Sequence, residues 1–323
     1  MPHGLAMQRA QRALNNSSGP TGPQHVTMLA IAGDSAAGKT TITRGIVDAM
    51  GPHRISSMCV DDYHRYDRIE RKGLPFTPLH PDCNYVEIME QHLQLLALGQ
   101  PILKPVYEHD TGNLGRPVLL NPSELVIVEG LLPLHSKLSR ACFDVTVYLD
   151  PPEEIRRKWK VHRDTKHRGY TEAAVLEDLD KREPESEEHI RPQRKHADIV
   201  LRFAPIPERV AEHPDEPLSA TLLLRPTIPH PNLTEVLSAP DVQNAVHLKL
   251  GRDEDGKPVD ELHIHGYAPR KATRTIEEAI WSDLDGIEPF PTKLGEIEPG
   301  LRSEPLALTQ LLILYHLVQS RRG

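Results

Sequence analysis

The sequence predicts an α/β fold in which helices cover both faces of a parallel β-sheet, followed by a β-rich C-terminal appendage closed by a helix. Two observations lead to this prediction. Short apolar, β-rich runs alternate with helical stretches between residues 26 and about 205, which is the pattern of strand–helix–strand units. Three later runs have no helix between them and indicate antiparallel strands.

Five segments are strand candidates for the parallel sheet. In chain order they are "VTMLAIAG", "RISSMCVDD", "ELVIVEG", "FDVTVYLD" and "ADIVLRF". Three helices are predicted between them: "TTITRGIVDAM" ended by Gly51, "EIMEQHLQLLALG" ended by Gly99, and "EEIRRKWKVHRDTKHRG" opened by Pro151 and Pro152. Together these elements predict one α/β domain over residues 26–205.

The remaining residues are predicted to form a tail, a linker and an appendage. Residues 1–25 are basic but lack the apolar core of a signal peptide, which favours a flexible tail. The proline-rich, charged stretch "APIPERVAEHPDEPLSA" indicates a linker. In residues 206–323, "ATLLLRP", "AVHLKLG" and "DELHIHGY" are predicted strands that extend the sheet or build a dimer interface, and "PLALTQLLILYHLV" is predicted to be a buried helix.

Composition argues against several classes of protein. The chain has 323 residues and a net charge of -8, which disfavours a general binder of nucleic acid or anionic membranes. Its longest apolar run is shorter than the about 20 residues that span a bilayer. Three cysteines without CxxC spacing suit a reducing, cytoplasmic location. His247, His263 and His265 have no cysteine or paired carboxylate at ligand spacing, so a polar strand face is preferred to a metal site.

The strongest motif is "GDSAAGKT" at residues 33–40, which matches G-x-x-x-x-G-K-[ST] between a strand and a helix. Gly33 and Gly38 allow the tight turn that directs backbone N–H groups at phosphate oxygens. Lys39 would reach the β- and γ-phosphates of ATP, and Thr40 would give its hydroxyl to Mg²⁺. The predicted ATP-binding residues are Gly33, Asp34, Ser35, Ala36, Ala37, Gly38, Lys39, Thr40 and Thr41.

The segment "CVDDYHRYDRIERKG" follows the second strand, at the edge of a parallel sheet where ligands bind. Asp61 is therefore predicted near the phosphates, where it can take a proton from an attacking hydroxyl. Glu129, which ends the strand "LVIVE", is predicted to orient Mg²⁺ or its water. A second anion would be opposed by the basic residues of the segment, which are Arg65, Arg68, Arg71 and Lys72.

Charged residues also recur along the helix opened by the two prolines. Lys160, Asp164 and Arg168 are spaced i, i+4 and i+8, so they share one helix face, with Arg163 beside them. From spacing alone, a surface ladder of ion pairs is the favoured interpretation. "RPQRKHAD" at residues 191–198 is a weaker signal, since Arg194 could touch phosphate or lie in a solvated basic turn.

Five segments resemble those of the phosphoribulokinases, within the phosphoribulokinase and uridine kinase superfamily. In the family's order they are "CVDDYHRYDRIERKG", "KPVYEHDTG", "LVIVEGLLPL", "VYLDPPEEIRRKWKVHRDTKHRGYT" and "KHADIVL". The resemblance covers roughly residues 28–203 and implies a P-loop kinase-type sheet. It also implies transfer of the ATP γ-phosphate to the C1 hydroxyl of ribulose 5-phosphate, which supplies the Calvin cycle, and it supports a homodimer.

The resemblance also implies roles for individual residues. Asp61 corresponds to the catalytic base. The positions that contact the sugar phosphate correspond to His64, Arg68, Lys72, Tyr107 and His109. Arg163 and Arg168 correspond to a lid that closes over ATP and neutralises phosphate charge, and Asp164 to a residue that assists the metal or orders the lid. Closure of such a lid excludes water from the reaction.

Two alternatives stay open beside phosphoribulokinase. One is uridine kinase or another small-molecule kinase of the superfamily, in which an aromatic residue tends to stand at the position of His64. The other is a noncatalytic regulator that binds nucleotide on the same fold. Four residues together argue against the regulator, because a protein that only binds nucleotide needs no base for an acceptor: Lys39, Thr40, Asp61 and Glu129.

Overall fold

The structure is a computed structural model that describes residues 26–206, 217–284, 290–291, 293–298 and 300–321. Its strands are β1 (Thr27–Gly33), β2 (Ile55–Cys59), β3 (Ile102–Lys104), β4 (Val118–Leu120), β5 (Leu125–Gly130), β6 (Val145–Leu149), β7 (Ile199–Ala204), β8 (Ser219–Leu224), β9 (Val246–Arg252), β10 (Pro258–Ile264), β11 (Glu296–Glu298) and β12 (Leu301–Arg302). Its α-helices are α1 (Lys39–Met50), α2 (Val86–Ala97), α3 (Lys137–Arg140), α4 (Glu153–Arg168), α5 (Glu172–Glu185), α6 (Thr234–Leu237), α7 (Arg270–Ser282) and α8 (Glu304–Ser320).

The main sheet has the strand order β2-β5-β1-β6-β7-β8-β10-β9 within the described part of the chain. Its first five strands are parallel, and β8, β10 and β9 continue it with antiparallel pairing. The predicted parallel sheet is therefore confirmed, and the three C-terminal strands extend it. The division of the chain at residue 205 stays a prediction, and residues 1–25 lie outside the described residues.

The alternation of side chains along the central strand builds a core on each face of the sheet. Leu29 and Ile31 of β1 lie in one apolar cluster with Ile46 of α1. Met28 points to the other face and lies in a second cluster with Leu93 of α2. Neighbouring residues of a buried parallel strand point to opposite faces of the sheet. Both faces therefore need a cover of helices, as the apolar runs of the sequence predicted.

Helix α8 is buried on all sides from Pro305 to Leu317, which confirms the predicted buried C-terminal helix. It also supports the helix that follows the P-loop. Gln310 Nε2 donates to the carbonyl of Thr41 (3.1 Å), and a Cβ atom at Gly45 would lie 2.0 Å from the same nitrogen. Glycine at position 45 therefore lets α8 pack closely against α1. The described helices include none long and apolar enough to cross a membrane.

Two features differ from the sequence prediction. Strand β2 stops at Cys59, and Val60–Tyr63 forms a 3₁₀ turn, so Asp61 stands on a turn and not on the predicted strand. Arg194 is not the solvated basic residue that was one of its two predicted roles. Its guanidinium is mostly buried and bonds Asp150 Oδ2 (3.1 Å) and Asp253 Oδ1 (2.6 Å), which ties β6 to the β9–β10 hairpin.

The histidines of the C-terminal strands form part of a strand face. His247 and His263 face each other across β9 and β10, with ring centroids 4.9 Å apart. The Nδ1 atom of His263 lies 3.0 Å from the Thr221 hydroxyl on β8. These contacts agree with the preferred interpretation of a polar strand face.

The buried His316 is expected to make folding sensitive to acid. Burial lowers the pKa of His316 to about 3, and His230 is its ring neighbour. Because the unfolded chain takes up this proton near pH 6.5, the stability contributed by neutral His316 is complete above pH 6.5 and declines as pH falls towards 3. The free energy of unfolding is expected to decrease between pH 6.5 and 4, and we expect His316→Gln to make this decrease smaller by on the order of a few kcal/mol.

Urea unfolding at a series of pH values measures this effect, with the exposed His53 replaced by glutamine as the control. The His53 variant is expected to follow the wild-type curve. An unchanged pH slope in the His316 variant would mean that another group causes the acid sensitivity.

Candidate active site

The P-loop of residues 33–40 forms the strained turn that its sequence predicts. Gly33 has φ +147°, and a Cβ atom there would lie 2.8 Å from the carbonyl oxygen of Leu149. Gly38 has φ +98°, and Ala36 adopts the left-handed conformation with φ +64°, which is uncommon for a residue other than glycine. The sequence therefore stores strain where backbone N–H groups are needed for phosphate. Helix α1 begins directly at Lys39.

The Lys39 ammonium bends back across the P-loop. Its Nζ atom donates to the carbonyls of Gly33 (2.9 Å) and Asp34 (2.7 Å). Burial lowers the pKa of Lys39, while the nearby carboxylates of Asp61 and Glu129 oppose this shift. A cation held mainly by backbone carbonyls can exchange those contacts for phosphate oxygens without leaving its position.

Glu129 and Thr40 meet at the mouth of the loop. The Thr40 hydroxyl donates to Glu129 Oε1 (3.3 Å), and the Thr43 hydroxyl donates to Oε2 (3.0 Å). A hydroxyl and a carboxylate side by side are the hard oxygen donors that Mg²⁺ prefers. The two predicted metal ligands are thus brought together, and their chemistry fits the ion.

Asp61 lies just past β2, with its carboxylate turned towards the P-loop and the loop that contains His109. Its Oδ2 atom is 3.9 Å from His109 Nε2. Burial works to raise the pKa of Asp61, but the positive charge around it, which includes Lys39, outweighs burial and holds the pKa below its usual value. Asp61 is therefore ionised at neutral pH, as a proton acceptor must be.

His64 is buried and held in one orientation by Asn84. The amide nitrogen of Asn84 donates to the carbonyls of Pro78 (3.1 Å) and His80 (2.9 Å), so its oxygen faces His64 Nδ1 at 2.8 Å. The proton of the ring therefore sits on Nδ1, and Nε2 keeps a free lone pair. Burial lowers the pKa of His64, which keeps the ring neutral at pH 7.

Arg68 and Arg71 follow His64 in the chain, and both contact the segment that contains Tyr107 and His109. Arg68 donates to the carbonyl of His109 and packs on Gly112, where φ is +81° and a Cβ atom would lie 2.6 Å from that of Arg68. Arg71 lies over the Tyr107 ring (4.9 Å) and donates to its hydroxyl. The buried Arg71 Nη1 has no hydrogen-bond partner among the described residues, which suits a guanidinium that awaits an anion.

Two basic residues of this segment do not join the cluster. Arg65 turns away from Asp61: its Nε donates to the Asn84 carbonyl (2.8 Å) and its Nη2 pairs with Glu87 (3.2 Å). The prediction that Arg65 opposes a second anion is therefore wrong. Lys72 is exposed, and the structure gives it no ion pair within the described residues.

Asp164 is a buried centre of charge and not part of a surface ladder. Its Oδ2 pairs with Lys160 Nζ (2.8 Å), and its Oδ1 lies 2.8 Å from Arg163 Nε and 3.4 Å from Arg168 Nη1. Burial works to raise the pKa of Asp164, but hydrogen bonds from Arg163 and Lys160 outweigh it and lower the pKa to about 2. The shared helix face is confirmed, but its predicted exposure holds for Arg168 and not for Lys160 and Asp164, which are buried.

Cys59, Asp61 and His109 form a further group whose potential ligand atoms lie within 4.8 Å of one another. Burial raises the pKa of the Cys59 thiol well above its usual range, so the sulfur stays protonated. A protonated thiol is a poor ligand, which favours Thr40 and Glu129 as the metal site.

Several side chains that shape the site were not singled out in the sequence. Asp62 accepts from the Tyr107 backbone N–H (3.0 Å) and pairs with Lys104, which anchors the segment that carries Tyr107 and His109. Arg156 donates to the Ser35 carbonyl (3.1 Å) and supports the P-loop from α4. The doubled "DD" after β2 was the available signal for Asp62, but Arg156 lies in a charge-rich helix whose pattern distinguishes no single arginine.

Comparison with known proteins places these features in a family. The sequence model of the Phosphoribulokinase / Uridine kinase family matches residues 28–208. A curated phosphoribulokinase from Synechocystis is 36% identical over 200 residues, which are 62% of this chain and 60% of the relative. A uridine kinase from Staphylococcus epidermidis is 30% identical over 183 residues, covering 54% of this chain and 86% of that protein. This chain therefore spans less than two thirds of the length of the cyanobacterial relative.

The fold has a similar solved structure. A phosphoribulokinase from Rhodobacter spheroides superimposes with a TM-score of 0.57 at 18% identity, covering 80% of this chain and 97% of the solved one. At that identity the similarity supports the fold alone. The superposition extends into the C-terminal part of the chain, because it covers 80% of this chain and residues 28–208 make up a smaller share of it.

Proposed function

The chain belongs to the Phosphoribulokinase / Uridine kinase family, and from this premise we propose that it is a phosphoribulokinase, which transfers the ATP γ-phosphate to the C1 hydroxyl of ribulose 5-phosphate. The observation that carries the proposal is the position of Asp61. Its carboxylate lies within electrostatic reach of Lys39 on the ATP side and of His64 and His109 on the other. A base between a phosphate cradle and a second cationic cluster suits transfer to a phosphorylated acceptor.

In this proposal, Asp61 takes the proton of the C1 hydroxyl as the hydroxyl oxygen attacks the γ-phosphorus, the bond from that phosphorus to the β,γ-bridging oxygen breaks, and ADP leaves. The free lone pair on His64 Nε2 accepts a hydrogen bond from another sugar hydroxyl and so orients the acceptor. Arg68 and Arg71 bind the phosphate that the sugar already carries, since guanidinium groups bind phosphate through paired N–H donors. Tyr107 and His109 line the same pocket, and Lys72 is exposed at its margin.

On the ATP side, residues 33–41 hold the phosphates, and Lys39 stabilises negative charge on the transferred group. Mg²⁺, held by Thr40 and Glu129, would neutralise charge on the β- and γ-phosphates. Arg163 and Arg168 supply further positive charge from the end of α4, and Asp164 fixes their direction. A lid formed by α4 and α5 that closes over ATP would keep water from the reaction.

The alternatives of the sequence analysis explain less of the site. Uridine carries no phosphate, so a uridine kinase gives Arg68 and the unpaired Arg71 Nη1 no anion to bind. A noncatalytic regulator gives no use to an ionised base beside the cradle. The experiment is to incubate the protein with Mg-ATP and ribulose 5-phosphate and identify the product by phosphorus NMR. The proposal expects ribulose 1,5-bisphosphate, and phosphate at any other position would contradict it.

Removing Arg68 is expected to weaken the sugar phosphate selectively. Arg68→Ala deletes a charge-assisted contact to the acceptor and the support of the His109 carbonyl, while the P-loop is untouched. We expect the KM for ribulose 5-phosphate to rise about tenfold or more and the KM for ATP to change less than threefold. Steady-state kinetics measure both, with the exposed Arg274→Ala on α7 as the control. A selective rise in the KM for ATP would mean that Arg68 acts on ATP and not on the sugar phosphate, which would contradict the proposal.

We also propose that the protein is a cytoplasmic homodimer. The three cysteines are free thiols, which favours a reducing compartment. Strand β9 is an edge of the main sheet, and its Leu250 is 82% exposed, which is typical of a strand that pairs with another chain. We expect light scattering to give the mass of a dimer and Leu250→Lys to shift it towards the monomer. A monomeric wild type at micromolar concentration would contradict the assignment.

A further inference from the structure

The last residue of α5 and the first residue of the turn that follows it touch both halves of the site. Helix α5 contains Pro184 near its end, and Ser186–Ile190 continues it as a π-helical turn. Such wide turns are rare and interrupt the regular hydrogen bonds of a helix. Here the interruption falls at the two consecutive residues Glu185 and Ser186, whose side chains bond to different loops.

Ser186 bonds to the P-loop. It is 1% exposed, and its hydroxyl donates to Asp34 Oδ2. The other oxygen of Asp34 accepts from the Ser35 N–H (2.7 Å), and the Arg156 guanidinium lies 3.7 Å from it. Ser186 therefore holds the start of the phosphate cradle through a buried carboxylate.

Glu185 bonds to the loop that follows β2. Its Oε1 accepts from the Thr77 backbone N–H (2.9 Å), and its Oε2 accepts from the Thr77 hydroxyl. The Thr77 hydroxyl in turn accepts from the Leu79 N–H (3.3 Å). Hydrogen bonds to an ionised carboxylate are about twice as strong as neutral ones, so this contact fixes the loop firmly.

The same loop leads directly to His64. Asn84 holds the carbonyls of Pro78 and His80 with its amide nitrogen and orients His64 with its oxygen. Displacement of Thr77 therefore moves the segment of residues 78–84, and with it the ring that faces the acceptor. Glu185 acts on His64 without touching it.

We propose that Glu185 and Ser186 are positioning residues that set the separation between the ATP half and the acceptor half of the site. The P-loop follows β1, and the acceptor loop, which is the segment after β2 that contains Thr77, follows β2. Ser186 bonds to the first and Glu185 to the second. Adjacent helical residues point about 100° apart, so one short turn can bond both loops without flexible backbone between its contacts. This role rests on the proposed transfer between two bound substrates.

The consequence is specific to turnover. In-line transfer needs the acceptor oxygen close to the γ-phosphorus, and a displacement of about 1 Å can cost about a hundredfold in rate. The groups that bind each substrate keep their contacts within their own half of the site when Glu185 or Ser186 is changed, and only the separation between the two halves shifts. A lost positioning contact is therefore expected to lower kcat and to spare both KM values.

The experiment compares Glu185→Gln, Ser186→Ala and the double variant with the wild type. We expect each single variant to lower kcat by about 10-fold to 100-fold, with both KM values and the ATP affinity from equilibrium titration within threefold. The double variant is expected to be no slower than the slower single variant, because either change breaks the same link. Thr77→Val, which keeps Glu185 but removes its hydroxyl partner, is expected to lower kcat in the same way.

Glu187→Gln is the matched control, since Glu187 is in the same turn, carries the same charge and pairs only with Arg191 among the described residues. It is expected to keep the wild-type kcat. Additive losses in the double variant, or a rise in one KM with kcat unchanged, would overturn the proposal, as would a kcat within threefold of wild type. The ratios are measured with whichever acceptor the wild type phosphorylates, so failure with ribulose 5-phosphate would contradict the proposed function alone.

Discussion

Asp61→Asn is expected to lower kcat by about a thousandfold or more while ATP affinity stays within threefold of wild type. Asparagine has the size of aspartate but cannot take a proton from the attacking hydroxyl. The proposed ATP contacts come from the P-loop and Lys39, and the Lys39 ammonium is positioned by the carbonyls of Gly33 and Asp34 and not by a hydrogen bond to Asp61. The loss therefore falls on the chemical step and not on nucleotide binding.

Single-turnover kinetics and equilibrium titration with ATP separate these two quantities for Asp61→Asn. Asp82→Asn is the matched control, because Asp82 lies in the same loop, carries the same charge and is exposed at its surface. It is expected to turn over like the wild type. If Asp61→Asn keeps turnover within tenfold, another group is the base.

Lys39→Met is expected to lower kcat/KM for ATP by on the order of a hundredfold to a thousandfold. Methionine keeps an unbranched side chain but removes the charge that stabilises the transferred phosphoryl group. The Lys39 ammonium donates to the carbonyls of Gly33 and Asp34, so its loss also removes one donor from each of these carbonyls. The lost charge weakens the transition state more than the bound ATP.

The measurement for Lys39→Met is kcat and KM for ATP at saturating acceptor. Lys137→Met is its control, since Lys137 is an exposed lysine on α3, away from the P-loop. We expect the control to match the wild type. Retention of kcat/KM within threefold in the Lys39 variant would show that this lysine does not act on the phosphates.

The P-loop and the helices beside it could be predicted because their signals are local. "GDSAAGKT" fixes both glycines and the lysine within eight residues, and Gly51 and Gly99 end α1 and α2 with positive φ as expected. The strands of the parallel sheet are continuous apolar runs, which need no knowledge of distant residues. Such patterns carry the fold without a tertiary contact.

Helix α5 could not be predicted because its signal is weak. Only Val175 and Leu179 are buried along it, and Pro184 lies inside it. Its contributions to the site come from Glu185 and from Ser186 after its end, which lie far in sequence from the loops they hold. The α5 residue Asp178 also lies 3.9 Å from Lys160, a tertiary contact that the spacing of charges on α4 could not reveal.

The direction in which each arginine side chain of the acceptor loop points could also not be predicted from the sequence. Arg65 and Arg71 are both arginines in the same charged segment of the sequence. In the structure, however, Arg65 pairs with Glu87 of α2 and Arg71 faces Tyr107. The difference arises from the 3₁₀ turn at Val60–Tyr63 and the pairing of His64 with Asn84. A run of charges has no period that reveals which members point inward.

The central claim is that this site transfers phosphate to a phosphorylated sugar, and one measurement tests it most directly. Initial rates with Mg-ATP are compared for ribulose 5-phosphate and uridine as rival acceptors, at equal concentrations and in the same preparation. We expect ribulose 5-phosphate to be phosphorylated at least a hundredfold faster, because it carries the anion that Arg68 and Arg71 are proposed to bind and uridine lacks it. Equal rates, or a preference for uridine, would contradict it.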